Sequence, residues 1–359
     1  LGFEELIPLK QAKNDSVEFI AILKNRVLEG GDITLEEARE LLAMDETELI
    51  DRLLAAAGEI TRHYHGTEVA LCGLVNAKSY LCGEDCAFCA QSVRYKTDAR
   101  QYGLIAEDEV VETAKRFESQ GIRDFCIVTS GAKLNEQEFE KVLAMFERLR
   151  RETTLNLDGS LGWLDEERLR RLKAVGVRRI NSNLQTSGDY YPKIVSTHPY
   201  QERLGALDVL RRGQMEICSG GILAMGETPE DRLGMAFELK PYKPHCIPVN
   251  ILNPRPGTPL ENQPAPDPLE MIRTLAVFRF IHPRANIKLA GGREKNLSRE
   301  DQELALRSGA NGLIVGGYLT SSGNPVGEDL EMLRRAGFCL PGKCAGRPEK
   351  SACPSIPIE

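Results

Sequence analysis

Residues 69–97, VALCGLVNAKSYLCGEDCAFCAQSVRYKT, decide how the chain is organised. Val69 to Asn76 is an apolar run of strand length, and it opens into a polar loop that carries Cys82, Cys86 and Cys89. An open, doubly wound sheet would place a glycine-rich dinucleotide turn after its first strand; cysteines stand there instead. Downstream, short apolar runs alternate with amphipathic helical stretches, the rhythm of βα units around a parallel sheet. The further strands centre on Phe125 to Thr129, Thr154 to Leu157, Arg179 to Leu184, Glu216 to Leu223, Ile247 to Leu252, Ile287 to Leu289 and Gly312 to Val315. Helices are expected over Glu107 to Gln120, Glu136 to Arg151, Asp165 to Val175, Tyr200 to Arg212, Thr228 to Leu239, Pro268 to Ile281 and Arg299 to Ser308. Eight units predict an α/β fold, a closed TIM-type (β/α)8 barrel.

Ahead of that barrel, the apolar positions of Val17 to Leu28 and of Leu35 to Leu54 recur at three and four, and Thr34 to Glu37 has the form of a capping box. Residues 1–66 therefore read as a helical extension covering one end of a barrel over 67–337. Residues 338–359, rich in Pro, Gly and Cys, form a non-helical tail.

In the 359-residue chain, 46 Lys and Arg face 53 Asp and Glu, a net charge of −7 that repels a phosphate backbone and speaks against nucleic acid. No apolar run approaches the roughly 20 residues that span a bilayer, and Leu1 to Lys13 lacks the order of a secretion signal. The expected location is the cytoplasm, without a membrane partner. Ten cysteines are too few for a disulfide scaffold, and their clustering points to metal or redox chemistry.

Cys82, Cys86 and Cys89 can each take one corner of an iron–sulfur cluster and leave a fourth iron without a protein ligand. Zinc competes, but a structural zinc site wants four ligands, and no His or further Cys follows at finger spacing. The spacing CxxxCxxC with Phe88 before the last cysteine resembles the signature of the radical S-adenosylmethionine (SAM) superfamily. Gln91 to Thr97 narrows the resemblance to the biotin synthase family. It continues through Thr197-His-Pro-Tyr-Gln-Glu-Arg203-Leu, Cys218-Ser-Gly-Gly-Ile222, Gly226-Glu227-Thr228, Gly257-Thr258-Pro259-Leu260 and Gly291-Gly-Arg293-Glu294, from about Val69 to Gly337.

The resemblance implies that Cys82, Cys86 and Cys89 hold a [4Fe-4S] cluster whose open iron binds SAM. It further implies conversion of dethiobiotin to biotin by two hydrogen abstractions and insertion of one sulfur. An electron donor such as flavodoxin or ferredoxin is implied too, and a homodimer is compatible. Alternation along the fourth strand puts Asn181, Asn183 and Gln185 on one face, the barrel interior. By resemblance, Asn181 and Asn183 contact substrate and the SAM ribose, and Gln185 stands where the family has Asp. Asn250 matches another substrate-binding Asn, and Arg203 the residue near the SAM carboxylate. Gly220 and Gly221 let backbone approach a flat ligand such as adenine.

The family's auxiliary [2Fe-2S] cluster, held by three strand cysteines and an arginine, is not matched here. Cys126 and Cys218 align with two of the cysteines, Leu155 with the third and Lys288 with the arginine. Instead the tail carries Cys339, Cys344 and Cys353, expected to ligate an auxiliary cluster of four irons whose open iron carries the inserted sulfide. Cys126 and Cys218 join them as ligands or pack as small core residues; Cys72 and Cys246 read as structural. The rivals are a hydrogenase maturase or methylornithine synthase within the superfamily, and outside catalysis an iron–sulfur sensor.

Overall fold

The computed structural model describes residues 3–80, 82–319 and 323–340. Three leading helices, α1 (Phe3–Leu28), α2 (Leu35–Ala43) and α3 (Thr47–His65), precede the barrel. The strands are β1 (Ala70–Lys78), β2 (Asp124–Thr129), β3 (Asn156–Ser160), β4 (Val177–Asn181), β5 (Glu216–Cys218), β6 (Gly221–Leu223), β7 (Cys246–Ile251), β8 (Asn286–Leu289) and β9 (Gly312–Val315). Between and after them lie α4 (Glu107–Ser119), α5 (Glu136–Glu152), α6 (Glu166–Ala174), α7 (Tyr200–Arg212), α8 (Pro229–Leu239), α9 (Pro268–Ile281), α10 (Arg293–Asn296), α11 (Arg299–Arg307) and α12 (Val326–Arg335).

All strand pairings are parallel, in the order β5-β4-β3-β2-β1-β9-β8-β7-β6, and the pairing of Cys218 with Cys246 between β5 and β7 closes the ring. The nine segments make eight staves, because β5 and β6 are one strand interrupted at Ser219 and Gly220. A side chain at Gly220 would meet the Pro248 carbonyl oxygen at 2.1 Å, so β7 crowds the break. β7 is buried at every position, as a strand covered on both faces must be. Gly73 lets α4 close on β1, since a Cβ there would lie 2.6 Å from the Phe117 ring.

Capping follows the sequence. Thr34 Oγ1 accepts from Glu37 N at 3.2 Å while Glu37 accepts from Thr34 N at 2.8 Å. Four expectations shift. The helical run from Leu35 to Leu54 is two helices, parted at Met44 to Glu46. β3 begins two residues later than expected, and β4 ends at Asn181 rather than Leu184. The leading helices cover a flank, not the mouth: α2 packs on α8 and α9, α3 on α9 and α11, and none of their residues lines the central cavity.

Candidate active site

β1 delivers the cysteine loop to the C-terminal mouth of the barrel, the face where catalytic groups of this architecture gather. The loop is pinned from several sides. Val93 N donates to Cys82 O at 2.9 Å, Cys89 N to Cys86 O at 2.9 Å and Ala87 N to Ile194 O at 2.8 Å. Arg94 Nε donates to Gly83 O at 2.8 Å. Asp85 accepts from the backbone N–H of Ser196 at 2.9 Å and of Thr197 at 3.1 Å. Burial works against its charge, but these bonds hold its carboxyl well below the usual range.

The three cysteines are free thiols at one end of a shared cavity. Burial, reinforced by the negative charge of neighbouring cysteines, pushes Cys86 up to about 12 and Cys89 up to about 11. Such thiolates form readily only beside a metal cation, and three sulfur donors on one loop fit a cluster. No three His, Cys, Asp or Glu side chains among the described residues are gathered closely enough for a single metal ion. A cluster, by contrast, offers each thiolate an iron of its own.

Behind the loop runs a directed chain of hydrogen bonds. Arg203 Nε donates to Tyr191 Oη at 3.0 Å, Tyr191 Oη lies 2.6 Å from His198 Nε2, and His198 Nδ1 lies 2.6 Å from Glu84 Oε2. Arg203 has only donors, so the Tyr191 proton goes to His198 Nε2, and Nδ1 carries the hydrogen that reaches Glu84. The guanidinium also lies 4.8 Å over the Trp163 ring. Arg203 is therefore fixed in the cavity wall rather than solvated on a helix surface. Glu84, Trp163, Tyr191 and His198 were not singled out from sequence, although Glu84 lies inside the cysteine motif and His198 beside Thr197.

The cavity, of about 350 Å³, reaches from the cysteine loop down the barrel axis. Asn181, Asn183 and Gln185 all line it, as alternation predicted, although only Asn181 belongs to β4. Asn181 Nδ2 donates to Asn183 Oδ1 at 2.9 Å and approaches Cys218 Sγ at 3.3 Å. Gln185 adopts φ +77°, and its buried Oε1 has no hydrogen-bond partner, leaving an acceptor at the site. Asn250 also lines the cavity, but its amide is committed: Nδ2 donates to Gly221 O at 3.0 Å and Oδ1 accepts from Gly291 N at 2.9 Å. Gly220 and Gly221 do not line it; their missing Cβ atoms are required by Pro248 and by Met235, whose sulfur would lie 2.3 Å from a Cβ at Gly221.

The floor departs from expectation. Leu155 precedes β3 and does not line the cavity; the register partner of Cys126 is Asp158, which does. Cys72 and Cys246, read as structural, line the same cavity as Cys126 and Cys218. Beneath them Lys288 Nζ lies 3.5 Å from Asp124, and Arg179 lies 3.3 Å from Asp158 and 3.2 Å from Glu216. Burial raises the Asp158 carboxyl to about 7, whereas Asp124, despite its burial, is held at about 2 by Lys288, Arg179 and Arg178.

Cys339 sits at the opposite end of the barrel from the cysteine loop, its N–H donating to Thr67 O at 3.0 Å beside the start of β1. Its sulfur is disulfide-bonded. Cys344 and Cys353 lie outside the described residues.

A parallel β/α barrel with a three-cysteine loop at its mouth, over a deep cavity that carries several amide side chains, defines a radical SAM enzyme. The radical SAM superfamily profile matches residues 78–239, and that of the biotin and thiamin synthesis associated domain matches residues 248–339. The chain is 44% identical to a biotin synthase of Pelotomaculum thermopropionicum over 87% of this chain and 96% of that one. It is 43% identical to a biotin synthase of Carboxydothermus hydrogenoformans, over 89% and 98%. The chain belongs to the biotin synthase family. Methylornithine synthase shares the fold at a TM-score of 0.77 and 20% identity, over 89% of this chain and 97% of that one. The FeFe-hydrogenase maturase of Carboxydothermus hydrogenoformans does so at 0.76 and 17%, over 94% and 84%.

Proposed function

We propose that the chain converts dethiobiotin to biotin by radical sulfur insertion. The observation that carries the reading is the cysteine loop poised over a cavity lined by Asn181, Asn183 and Gln185, in a chain 42–44% identical to three biotin synthases. The two rivals within the superfamily share the barrel at 17–20% identity, a likeness of fold alone. Cys82, Cys86 and Cys89 would hold a [4Fe-4S] cluster, which with SAM bound supplies the reductive cleavage that starts the reaction.

The chain's own residues bind, orient and exclude water. Arg203, held by Tyr191 and stacked on Trp163, presents fixed donors for the SAM carboxylate. The open acceptor on Gln185 suits a ribose hydroxyl. Asn181 and Asn183 offer both donors and acceptors to a ureido ring, at the price of breaking their mutual bond. Asn250 acts one step back, bridging β6 to the segment after β8 and so shaping the wall.

The family's own set of three strand cysteines and an arginine is not reproduced: Asp158 is the register partner of Cys126, and Lys288, which stands for the arginine, is kept charged by its neighbours and cannot ligate iron. We assign the auxiliary cluster to Cys339, Cys344 and Cys353. The position of Cys339 beside β1 supports an approach from beneath the barrel, and reducing conditions must first open its disulfide. We also place the enzyme in the cytoplasm, supplied with electrons by a small carrier protein. The test is anaerobic incubation with SAM, dithionite, sulfide and dethiobiotin. Biotin together with 5′-deoxyadenosine is expected; 5′-deoxyadenosine without biotin would reject the substrate assignment.

A further inference from the structure

Among the described residues, Arg203, Lys288 and Arg255 are the Lys and Arg side chains that line the cavity. Arg203 is held by Tyr191 and stacked on Trp163, and Lys288 lies beside Asp124 at the floor. Arg255 follows the C-terminal end of β7, at the mouth of the barrel. Its carbonyl oxygen accepts from Thr258 N at 3.1 Å and from Thr258 Oγ1 at 2.8 Å, with Pro256 and Gly257 between them and Gly257 at φ +84°. Pro followed by a residue of positive φ marks a type II turn, which is a stiff support. A side chain at Gly257 would meet the Lys96 carbonyl oxygen at 2.0 Å, so the turn presses on the segment that follows the cysteine loop.

That support carries a guanidinium whose donors are mostly uncommitted. Among the described residues its hydrogen-bonded partner is Asp98, reached by Nη2 at 2.6 Å. Nε is buried without a partner, although a buried donor ordinarily has one. The Asp98 side chain is 71% exposed, so the pair is a weak one that solvent or another anion can replace. Ile251 and Leu252, just before Arg255 in the chain, line the same cavity and give it an apolar wall.

We infer that Arg255 binds the carboxylate of the substrate's side chain and so selects a free acid. The inference rests on the dethiobiotin reading and names the group that holds the far end of that molecule. Dethiobiotin carries its ureido ring and its carboxylate at opposite ends of a methylene chain. With the ring at Asn181 and Asn183, the carboxylate needs a cation, because an ionised carboxylate taken out of water unpaired is costly. Arg203 serves SAM and Lys288 is engaged with Asp124, which leaves Arg255. A guanidinium can hold both carboxylate oxygens at once. When substrate enters, Asp98 returns to solvent and the substrate's carboxylate takes its place; no covalent bond forms or breaks.

The test is isothermal titration of the reconstituted, SAM-loaded protein with dethiobiotin and with dethiobiotinol, the alcohol that keeps the ring and chain but has no charge. Wild type should bind the acid about tenfold or more tightly than the alcohol. Arg255→Met should remove that preference, weakening binding of the acid by about tenfold or more and leaving the alcohol and SAM within about twofold of wild type. Arg255→Lys, which keeps the charge without the planar fork, should retain part of the preference. Asp98→Asn removes the competing carboxylate and should tighten binding of the acid, which loss of a merely structural bridge between the two segments would not do. The inference is overturned if wild type binds acid and alcohol alike, if Arg255→Met weakens both equally or weakens SAM instead, or if Asp98→Asn weakens the acid as Arg255→Met does. Binding of neither compound by wild type that binds SAM normally would reject the dethiobiotin reading, and the inference with it.

Discussion

His198 Nδ1 lies 2.6 Å from Glu84 Oε2, tying the segment after β4 to the middle of the cysteine loop across 114 positions of sequence. Through Tyr191 the same imidazole reaches Arg203, so the group assigned to SAM and the loop assigned to the cluster share one hydrogen-bonded support. Replacing His198 by Ala removes two buried bonds, a loss of roughly 1–3 kcal/mol. Expressed as SAM binding, that is about a tenfold higher KM for SAM, with the KM for dethiobiotin unchanged. Steady-state kinetics on iron-replete protein check the split, and an equal rise in both KM values would assign His198 a general structural role.

The tail assignment predicts an iron count. Wild-type protein reconstituted without air should carry about eight irons per chain, and the variant with Cys339, Cys344 and Cys353 all replaced by Ala about four. Biotin formation should vanish in that variant while 5′-deoxyadenosine formation survives. Iron and sulfide analysis beside product chromatography decides it; an unchanged iron content contradicts the assignment.

Asp158 and Asp124 give the barrel floor opposite pH signatures. Asp158 titrates at about 7 in the fold, above its unfolded value of about 3.9, so its penalty is absent at low pH and grows as pH rises towards 7. Asp124 is held at about 2, so its contribution is present above about pH 4 and is lost as pH falls towards 2. Asp158→Asn should therefore flatten the fall in melting temperature between about pH 4 and 7, and Asp124→Asn should flatten the loss below pH 4. Thermal unfolding across pH 2 to 8 measures both.

Gly220→Ala should destabilise the barrel by about 1–3 kcal/mol or more, because the added methyl has no space against the Pro248 carbonyl. Calorimetry detects this as a lower melting temperature. If Gly220 instead served adenine, the variant would keep its stability and lose SAM affinity.

Periodicity was enough for the barrel, because strands such as β1, β2, β7 and β9 are short apolar runs and the outer helices between them carry an apolar face; β9 matches its expected span of Gly312 to Val315. The interruption after Cys218 was not legible, since it arises from the approach of Pro248, 28 residues away in sequence at Gly220. The three cysteines were legible as a motif. The chain from Glu84 through His198 and Tyr191 to Arg203 was not, because only the closed fold brings those segments together. Asp158 was missed because alignment to the family puts Leu155 at the third cysteine, whereas the strand register pairs Cys126 with Asp158.

The central claim is that Cys82, Cys86 and Cys89 hold a cluster with one iron open to SAM. Low-temperature electron paramagnetic resonance of the dithionite-reduced protein, with and without SAM, tests it most directly. The account predicts a reduced [4Fe-4S] signal that changes shape when SAM is added and is missing from the variant with all three cysteines replaced by Ala. A spectrum that SAM leaves unmoved, or a SAM-responsive signal that survives the triple replacement, would contradict it.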